Sequence, residues 1–294
     1  MRTKTRPTWM GEPTIATKIA KAIALVIVVA LVIFPFWTIV ATSLASPQEV
    51  IANGGWVIWP ERPTLEIYRA IFEEGVVTRA MGVSFGVTVV GTAFSLACTI
   101  GLAYALSRPR VIGGRPVLLL VLFTFLFPPG MIPLYLVVKT AGIHNTYAAL
   151  VLPFVVNVFN LVVMRGFFQG LPSELLEAAR MDGAGEFGIL WRVVLPLSKS
   201  VVAVVGLFYA VAYWNRWFEA LIYLDDTSKY PLGTVLRQYV NAGSGGEAGG
   251  EAAVFAPQAM QMAVVVIATL PIVCVYPFVQ RFFVKGVLTG AVKA

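Results

Sequence analysis

The sequence predicts an all-α membrane protein with six transmembrane helices and both termini in the cytoplasm. Composition supports this, because 58% of the 294 residues are hydrophobic and only 13% are charged, against roughly 25% charged residues in an average soluble domain. Long apolar stretches recur along the chain, and Lys and Arg are distributed unequally between the segments that join them. This composition excludes a water-soluble globule and a disordered chain. The two cysteines, Cys98 and Cys274, lie in apolar runs, which excludes a disulfide scaffold.

Six stretches are long enough to cross a bilayer, which requires roughly 20 mostly apolar residues. In chain order they are Ala22–Gln48, Ala80–Ser107, Pro116–Val138, Thr140–Met164, Ser200–Leu224 and Ala252–Gln280. Only the fifth carries charged residues, Arg216 and Glu219, near its end. The predicted organisation is a cytoplasmic N-terminal segment (1–18), a transmembrane domain (19–281) and a cytoplasmic tail (282–294). The longer loops are external at 46–79 and 225–257 and cytoplasmic at 169–199.

The distribution of Lys and Arg predicts the orientation, because loops rich in these residues stay in the cytoplasm. Fifteen of them lie on the side shared by the two termini, six lie on the opposite side, and Arg216 lies within a span. The net charge of +7 is therefore an orientation signal, whereas a nucleic-acid-binding protein would cluster its basic residues on one exposed face. A cleaved signal peptide is the alternative for the first span, since Ser43-Leu44-Ala45 resembles a cleavage site. Its apolar region is far longer than the usual length of about 7–15 residues.

Two spans carry patterns that predict how they pack. The second has one stripe of small residues, spaced three or four positions apart: Ser84, Thr88, Gly91, Ser95 and Cys98. Such a stripe allows a neighbouring helix to approach closely. The third contains Pro128-Pro129-Gly130, which must break or kink the helix. Irregular backbone at membrane depth is tolerated only beside protein or a water-lined cavity, so this span, with Pro129 at the break, is predicted to face a translocation path.

The loop from 169 to 199 predicts two short helices joined by a turn. Pro172 and Ser173 begin the first helix, and acidic residues occupy its first turns, where they favour the positive end of the helix dipole. Asp182-Gly183-Ala184-Gly185 ends it, and a second helix follows from about Glu186 to Val194, ended by Leu195-Pro196. The apolar residues of the second helix are predicted to dock into a groove on another protein; they are Phe187, Leu190 and Trp191.

This loop resembles the EAA loop of ABC importer permeases. Glu177-Ala178-Ala179 is followed by Gly183 six residues after Glu177, and Leu195-Pro196 closes the pattern, with Val193 where the family pattern has isoleucine. Further segments, spread over nearly the whole chain, are similar to the maltose-type carbohydrate branch, particularly its lipoprotein/alginate-type oligosaccharide permeases. These segments are Pro63-Thr64-Leu65 with Tyr68, Pro129 with Ile132-Pro133-Leu134-Tyr135, Trp214-Asn215 with Phe218, and Gln280–Gly286 with Gly290–Lys293.

The resemblance implies the fold and assembly of a type I ABC importer in the cell membrane. It implies a pore formed with a second homologous permease, for which we expect a heterodimer, a cytoplasmic ABC ATPase dimer that drives transport, and an extracytoplasmic binding protein that delivers a carbohydrate, an oligosaccharide in our prediction. It also implies that the EAA loop couples the permease to the ATPase. The coupling residues carried over are Glu177, Ala178, Ala179, Asp182, Gly183, Val193, Leu195 and Pro196.

No catalytic chemistry is predicted in this chain. A Walker A loop requires a Gly-Lys dipeptide, and the sequence contains none, so ATP is expected to bind only to the partner subunit. No serine or cysteine nucleophile with a paired base is evident, and no spacing of metal ligands either. The single histidine, His144, has no acidic or cysteine partner nearby in sequence and is predicted to be a solvated loop residue. We therefore predict no enzyme activity, metal, cofactor or nucleic-acid partner.

One aromatic and three polar residues near the outer end of the fifth span are candidates for the solute path or its gate: Trp214, Asn215, Arg216 and Glu219. Aromatic rings together with amide and ionisable groups suit sugar binding, and ionisable groups at membrane depth commonly mark function. The alternative is an aromatic belt at the outer interface, with Arg216 extending to lipid headgroups. Asn157 and Asn160 are weaker candidates, which instead suit hydrogen bonds between helices.

Two alternative functions remain at the level of sequence. A self-sufficient ion-coupled secondary transporter or channel would need its own ion-coupling acids in mid-membrane, and these are absent except near Glu219. A membrane scaffold without transport is disfavoured by the broken third span and by the EAA loop.

Overall fold

The computed structural model describes residues 14–109, 111–243 and 257–290, which form helices and connecting loops with no β-strand among them. The predicted N-terminal segment lies mostly outside these residues, as do 244–256 of the second external loop and 291–294 of the tail. The α-helices, in chain order, are α1 (Ile15–Leu44), α2 (Pro47–Ala52), α3 (Glu66–Glu73), α4 (Val76–Ser107), α5 (Gly114–Leu126), α6 (Met131–Thr140), α7 (Ala148–Val151), α8 (Val158–Gln169), α9 (Ser173–Met181), α10 (Glu186–Ile189), α11 (Leu195–Leu197), α12 (Lys199–Trp214), α13 (Trp217–Tyr223), α14 (Leu232–Gly243) and α15 (Pro257–Gly290). Shorter helical turns are the 3₁₀ turns Leu152–Phe154 and Thr227–Lys229 and the π turn Leu190–Val194.

Among the described residues, three continuous helices are long and apolar enough to cross a membrane: α1, α4 and the 258–275 part of α15. Three further spans are helix pairs bent at a short break, which brings the total to as many as six if each pair is one span. The bend is 119° between α5 and α6, 50° between 148–154 and α8, and 86° between 186–197 and α12. All-α membrane architecture is therefore confirmed.

The third, fourth and fifth predicted spans are all broken, the fifth between α12 and α13, but only the break in the third was predicted. Pro128-Pro129-Gly130 separates α5 from α6 as expected, and Gly130 takes φ +81°, a conformation that suits glycine. The fourth span begins at Ala148 rather than near Thr140, and it breaks before α8. At this break the Asn157 side chain accepts a hydrogen bond from the Asn160 N–H and caps α8. An apolar stretch does not reveal such a cap, because composition alone does not distinguish one helix from two.

The described residues divide into two compact units, one containing 14–69 and 257–266 and the other containing 70–109, 111–243 and 267–290. In the first unit, the C-terminal end of α1 is anchored to the loop after α2. Thr42 Oγ1 donates to the Val57 carbonyl at 3.2 Å and accepts from the Val57 N–H at 3.0 Å, and Trp37 Nε1 donates to the Ile58 carbonyl at 2.8 Å. Most of the remaining length of α1 exposes apolar side chains, as expected of a helix that lies in lipid or against a partner.

The second unit is organised by the packing of α4 against α12. Two tyrosines of α12 reach small residues of α4: Tyr213 Oη lies 2.7 Å from Ser95 Oγ, and Tyr209 Oη lies 2.7 Å from Thr99 Oγ1. The ring of Tyr213 covers Gly91, where a Cβ atom would lie only 2.9 Å from ring carbons. The small-residue stripe is thus confirmed as a packing surface at Gly91 and Ser95.

Replacing Gly91 by alanine is expected to lower the thermal unfolding midpoint of the protein in detergent. The new methyl group would overlap a ring that the Ser95 hydrogen bond holds in place, and overpacking of this kind costs about 1–3 kcal/mol. Gly86, on the same helix, has no atom within 4 Å of the point that a Cβ atom would occupy, so Gly86→Ala is the matched control. Its midpoint should stay level or rise, because alanine is the better helix former. Equal midpoints for the two variants would contradict the packing described above.

Candidate functional site

The EAA loop, residues 169–199, is built around a helix ending of the Schellman type. After α9, the Gly183 N–H donates to the Arg180 carbonyl and the Ala184 N–H to the Ala179 carbonyl, both at 3.0 Å. These are the two bonds that define the motif, and they require a left-handed residue in the Gly183 position. Gly183 has φ +80°. The spacing from Ala179 to Gly183 is therefore the spacing of a helix terminator, which turns the chain from α9 into α10.

The predicted coupling residues are presented at the surface of this loop. Glu177, Ala178, Asp182, Gly183 and Pro196 are exposed, and Ala179, Val193 and Leu195 are half-buried. The structure therefore brings these residues together on one loop, while their contact with another protein stays a prediction.

Large apolar side chains project from the EAA loop. Met181 is 88% exposed, Phe187 76% and Trp191 62%. The expectation for Leu190 was wrong, because this residue is buried, whereas the exposed Met181 was missed. Periodicity could not find Met181, since it lies at the end of α9, where the direction of the side chain depends on the turn.

The second helix of the loop does not end at Leu195-Pro196 as expected. It widens into the π turn Leu190–Val194, in which the Leu195 N–H bonds to the Leu190 carbonyl, and α11 then carries the helix on to Leu197. A π turn inserts one extra residue into the helix, and Pro196 follows at the start of α11. The chain bends only afterwards, between α11 and α12.

Glu186 fastens the EAA loop to the end of α4. Tyr104 Oη donates to Glu186 Oε2 at 2.5 Å, and the Nε and Nη2 atoms of Arg180 donate to Oε1 at 3.1 and 3.0 Å. The Arg108 guanidinium stacks over the Tyr104 ring, 4.2 Å from its centroid. The Tyr104 hydroxyl, followed by Arg180 and Arg108, lowers the pKa of Glu186 despite some desolvation. The carboxylate thus links three segments: α4, α9 and α10.

Arg216 lies between α12 and α13 and is held by three groups. Its Nη1 atom donates to Glu219 Oε1 at 3.4 Å, so the predicted pairing of these residues is confirmed. The guanidinium carbon lies 3.6 Å from the centroid of the Phe154 ring and 5.1 Å from that of Tyr213. Only 10% of the Arg216 side chain is exposed. The sequence did not indicate the contact with Phe154, because Phe154 lies in the fourth span and Arg216 in the fifth.

Arg216 also borders a cavity of about 360 Å³. The polar residues that line it with Arg216 are Asn157, Asn160 and Tyr209, and the apolar ones are Pro153, Phe154, Val156, Phe159, Phe208 and Ala212. Arg216 therefore lines the same cavity as Asn157 and Asn160, the two weaker candidates for the solute path. Trp214, Asn215 and Pro129 are not among the lining residues; Asn215 instead donates from Nδ2 to the Val211 carbonyl at 2.8 Å.

His144 is less solvated than expected and has an acidic partner. Its Nδ1 atom lies 3.4 Å from Asp225 Oδ2, and its side chain is 20% exposed. The neighbouring Asn145 accepts hydrogen bonds from the N–H groups of Asp225 and Asp226 through Oδ1. The sequence could not indicate this pairing, because the partners are far apart in the chain.

Residues 83–289 match the protein family described as "Binding-protein-dependent transport system inner membrane component". The chain belongs to this family. As a member of the family it is a multi-pass membrane protein and a transport permease subunit, whose type implies an ABC ATPase and a substrate-binding protein as partners. The EAA loop and the bent spans described above lie within the matched residues.

Other members of this family give more detail. The permease is 47% identical to Protein LplC of Bacillus subtilis (strain 168) over 267 residues, or 90% of each chain. It is 43% identical to the polygalacturonan/rhamnogalacturonan transport system permease protein YtcP of the same organism, over 89% of this chain and 92% of the relative. A solved bacterial ABC transporter involved in the import of the acidic polysaccharide alginate has a chain that superposes with a TM-score of 0.86 and 29% identity. That match covers 93% of this chain and 100% of the other. The predicted type I permease fold and the ABC importer function are thereby confirmed.

Proposed function

We propose that this permease lines one half of the path by which an ABC importer takes up an oligosaccharide. A second, homologous permease supplies the other half in a heterodimer, and a cytoplasmic ATPase dimer binds the EAA loop. The resemblance of the sequence to oligosaccharide permeases supports the choice of solute, as do relatives named for polygalacturonan and for arabinooligosaccharides. The chain itself carries no catalytic group and no cofactor in this proposal, since ATP is bound and hydrolysed by the partner.

The observation that carries this proposal is the exposed apolar surface of the EAA loop. Met181, Phe187 and Trp191 stand out from a loop whose turn and helices are held by defined hydrogen bonds. Large apolar side chains that project from an ordered loop favour a protein partner, because aromatic residues and methionine are enriched at interfaces. The predicted excess of Lys and Arg on this side of the membrane supports a cytoplasmic partner.

The contacts of Glu186 supply a route from the ATPase to the transmembrane helices. A partner that moves the EAA loop pulls on the end of α4 through Tyr104, and α4 packs along α12 through the tyrosines Tyr209 and Tyr213. Tyr209 lies at the cavity beside Arg216. We propose that ATP binding and hydrolysis move this connected set of helices between inward-open and outward-open states.

The proposal is tested by purifying the permease in detergent with its candidate partners. We expect the ATPase to be recovered with the wild-type chain, and sugar-loaded binding protein to stimulate ATP hydrolysis after reconstitution in liposomes. Replacing Phe187 by alanine should weaken ATPase recovery about fivefold, because truncating an apolar contact residue costs on the order of 1 kcal/mol.

Ile112→Ala is the matched control for that variant. Ile112 is 100% exposed and lies between α4 and α5, on the side of the membrane predicted for the EAA loop but outside it. Its truncation should leave ATPase recovery unchanged. If the wild-type chain purified without any ATPase under conditions that preserve such complexes, transport driven by an ion gradient would become the better proposal.

A further inference from the structure

The guanidinium of Arg216 has donors that the protein does not use. Its hydrogen bond to Glu219, at 3.4 Å, is a long contact that engages one nitrogen. The remaining N–H groups have no acceptor among the described residues, and the Nε atom is buried without a hydrogen-bond partner. An unpaired donor in a buried position costs free energy unless a bound group accepts its proton. None of the residues that line the neighbouring cavity is acidic, so the wall of the cavity supplies no carboxylate to Arg216.

The cavity has the other features that a sugar ring requires. Phe154, Phe159 and Phe208 supply aromatic surface to its wall. The exposed Asn157 side chain adds an amide NH₂ group that can donate to a hydroxyl, while its oxygen caps α8 and Asn160 is buried. Both asparagines belong to the N-terminal turn of α8, a helix of 12 residues. The positive end of a helix dipole favours an anion there, and it acts in the same direction as the Arg216 charge.

We infer that this cavity binds a carboxylate-bearing sugar, such as a uronic acid unit of the transported oligosaccharide. Arg216 binds the carboxylate, because a planar guanidinium pairs with a carboxylate through parallel hydrogen bonds. Its stacking on Phe154 at 3.6 Å and its contact with Glu219 hold the plane of the guanidinium for this contact. A volume of about 360 Å³ is at the small end of ligand cavities, which span roughly 300–1,000 Å³, and suits a single sugar unit.

This inference rests on the proposed function and narrows it. Arg216 is then a specificity residue, which distinguishes acidic from neutral oligosaccharides while they cross the membrane. Selection at this point is additional to the selection that the binding protein makes outside the membrane.

The test is uptake by the complete importer of two probes that differ only in charge. One probe is a short galacturonic acid oligomer, and the other is the same oligomer with every carboxylate methyl-esterified. We expect Arg216→Gln to lower uptake of the acidic oligomer about tenfold or more, the loss expected for one charge-assisted pair. Uptake of the ester should change less than about twofold. The binding protein is identical in all assays, so a change in the ratio of the two rates comes from the permease.

Arg237→Gln is the matched control, because it removes an exposed arginine of α14 that stacks 5.0 Å above the Trp217 ring and does not line the cavity. It should leave the ratio of the two rates unchanged. Should Arg216→Gln fail to assemble with its partners, Arg216→Lys preserves the positive charge but not the planar pair, and it should reduce uptake of the acidic oligomer alone.

Two results would overturn the inference: an equal fall in uptake of both probes in Arg216→Gln, or an unchanged uptake of the acidic oligomer in that variant. Each leaves the proposed function standing so long as sugar stimulates ATP hydrolysis by the wild-type complex. If no carbohydrate stimulates hydrolysis, the proposed function fails, and the inference fails with it.

Discussion

Replacing Gly183 by threonine is expected to reduce solute uptake by roughly tenfold to a hundredfold. Gly183 has φ +80° and no atom lies within 4 Å of a Cβ position, so the effect comes from the backbone rather than from a clash. A β-branched residue is an outlier in this region, and holding it there costs about 1–3 kcal/mol. The turn should then open, and Met181 and Phe187 should lose their relative positions on the EAA loop.

The same substitution at Gly185 provides the control. Gly185 has φ −70° and ψ 164° and precedes α10 as its N-cap, a conformation and a position that threonine accepts. Uptake rate and recovery of the ATPase on purification are measured for both variants. Equal losses in the two variants would mean that any side chain in this turn disturbs the loop, and normal uptake by Gly183→Thr would mean that the Schellman turn is not needed for coupling.

Replacing Glu186 by alanine is expected to uncouple the ATPase from transport without releasing it. The change removes the hydrogen bond from Tyr104 to the carboxylate and both bonds from Arg180, and it leaves only the longer contact, 3.3 Å, from Tyr104 Oη to the backbone carbonyl of residue 186. Hydrogen bonds of this partly exposed kind contribute on the order of 1 kcal/mol each. We therefore expect sugar-stimulated ATP hydrolysis to fall about tenfold while recovery of the ATPase stays near the wild-type level, because Met181 and Phe187 remain exposed.

Glu174→Ala is the control for this variant, since Glu174 is an exposed acid in the first turn of α9 within the same loop. It should couple nearly as well as the wild type. Loss of the ATPase together with hydrolysis in Glu186→Ala would show instead that Glu186 maintains the docking surface, and normal coupling would show that the link to α4 is not used.

The contribution of Glu186 to stability should also depend on pH in a defined direction. Its pKa is lowered in the folded protein, so the stabilisation is present above the ordinary glutamate range and is lost as the pH falls through the lowered value. The thermal unfolding midpoint of the purified wild-type chain should therefore fall as the pH is lowered below the ordinary glutamate range. The midpoint of Glu186→Ala should change less over the same interval, because the variant lacks the group that titrates.

Much of the EAA loop could be predicted because its determinants are local. A helix terminator depends on residues within one turn, so the end of α9 at Gly183, four residues after Ala179, could be predicted. The burial of Leu190 and the exposure of Met181 could not be predicted from the sequence, because both depend on how the loop lies against the rest of the protein. The bond between Tyr104 and Glu186 joins residues 82 positions apart, and no local pattern carries that information.

By itself, the sequence determined the class of the protein, the break at Pro128-Pro129-Gly130 and the position of the EAA loop. These properties follow from composition, from the missing N–H of proline and from short-range spacing, all of which are local. Only the tertiary structure decided that Asn157, Asn160 and Phe154 meet Arg216 at one cavity. Arg216 comes from the fifth span and the other three residues from the fourth, so their meeting depends on how two broken spans pack, which is a property of the whole fold.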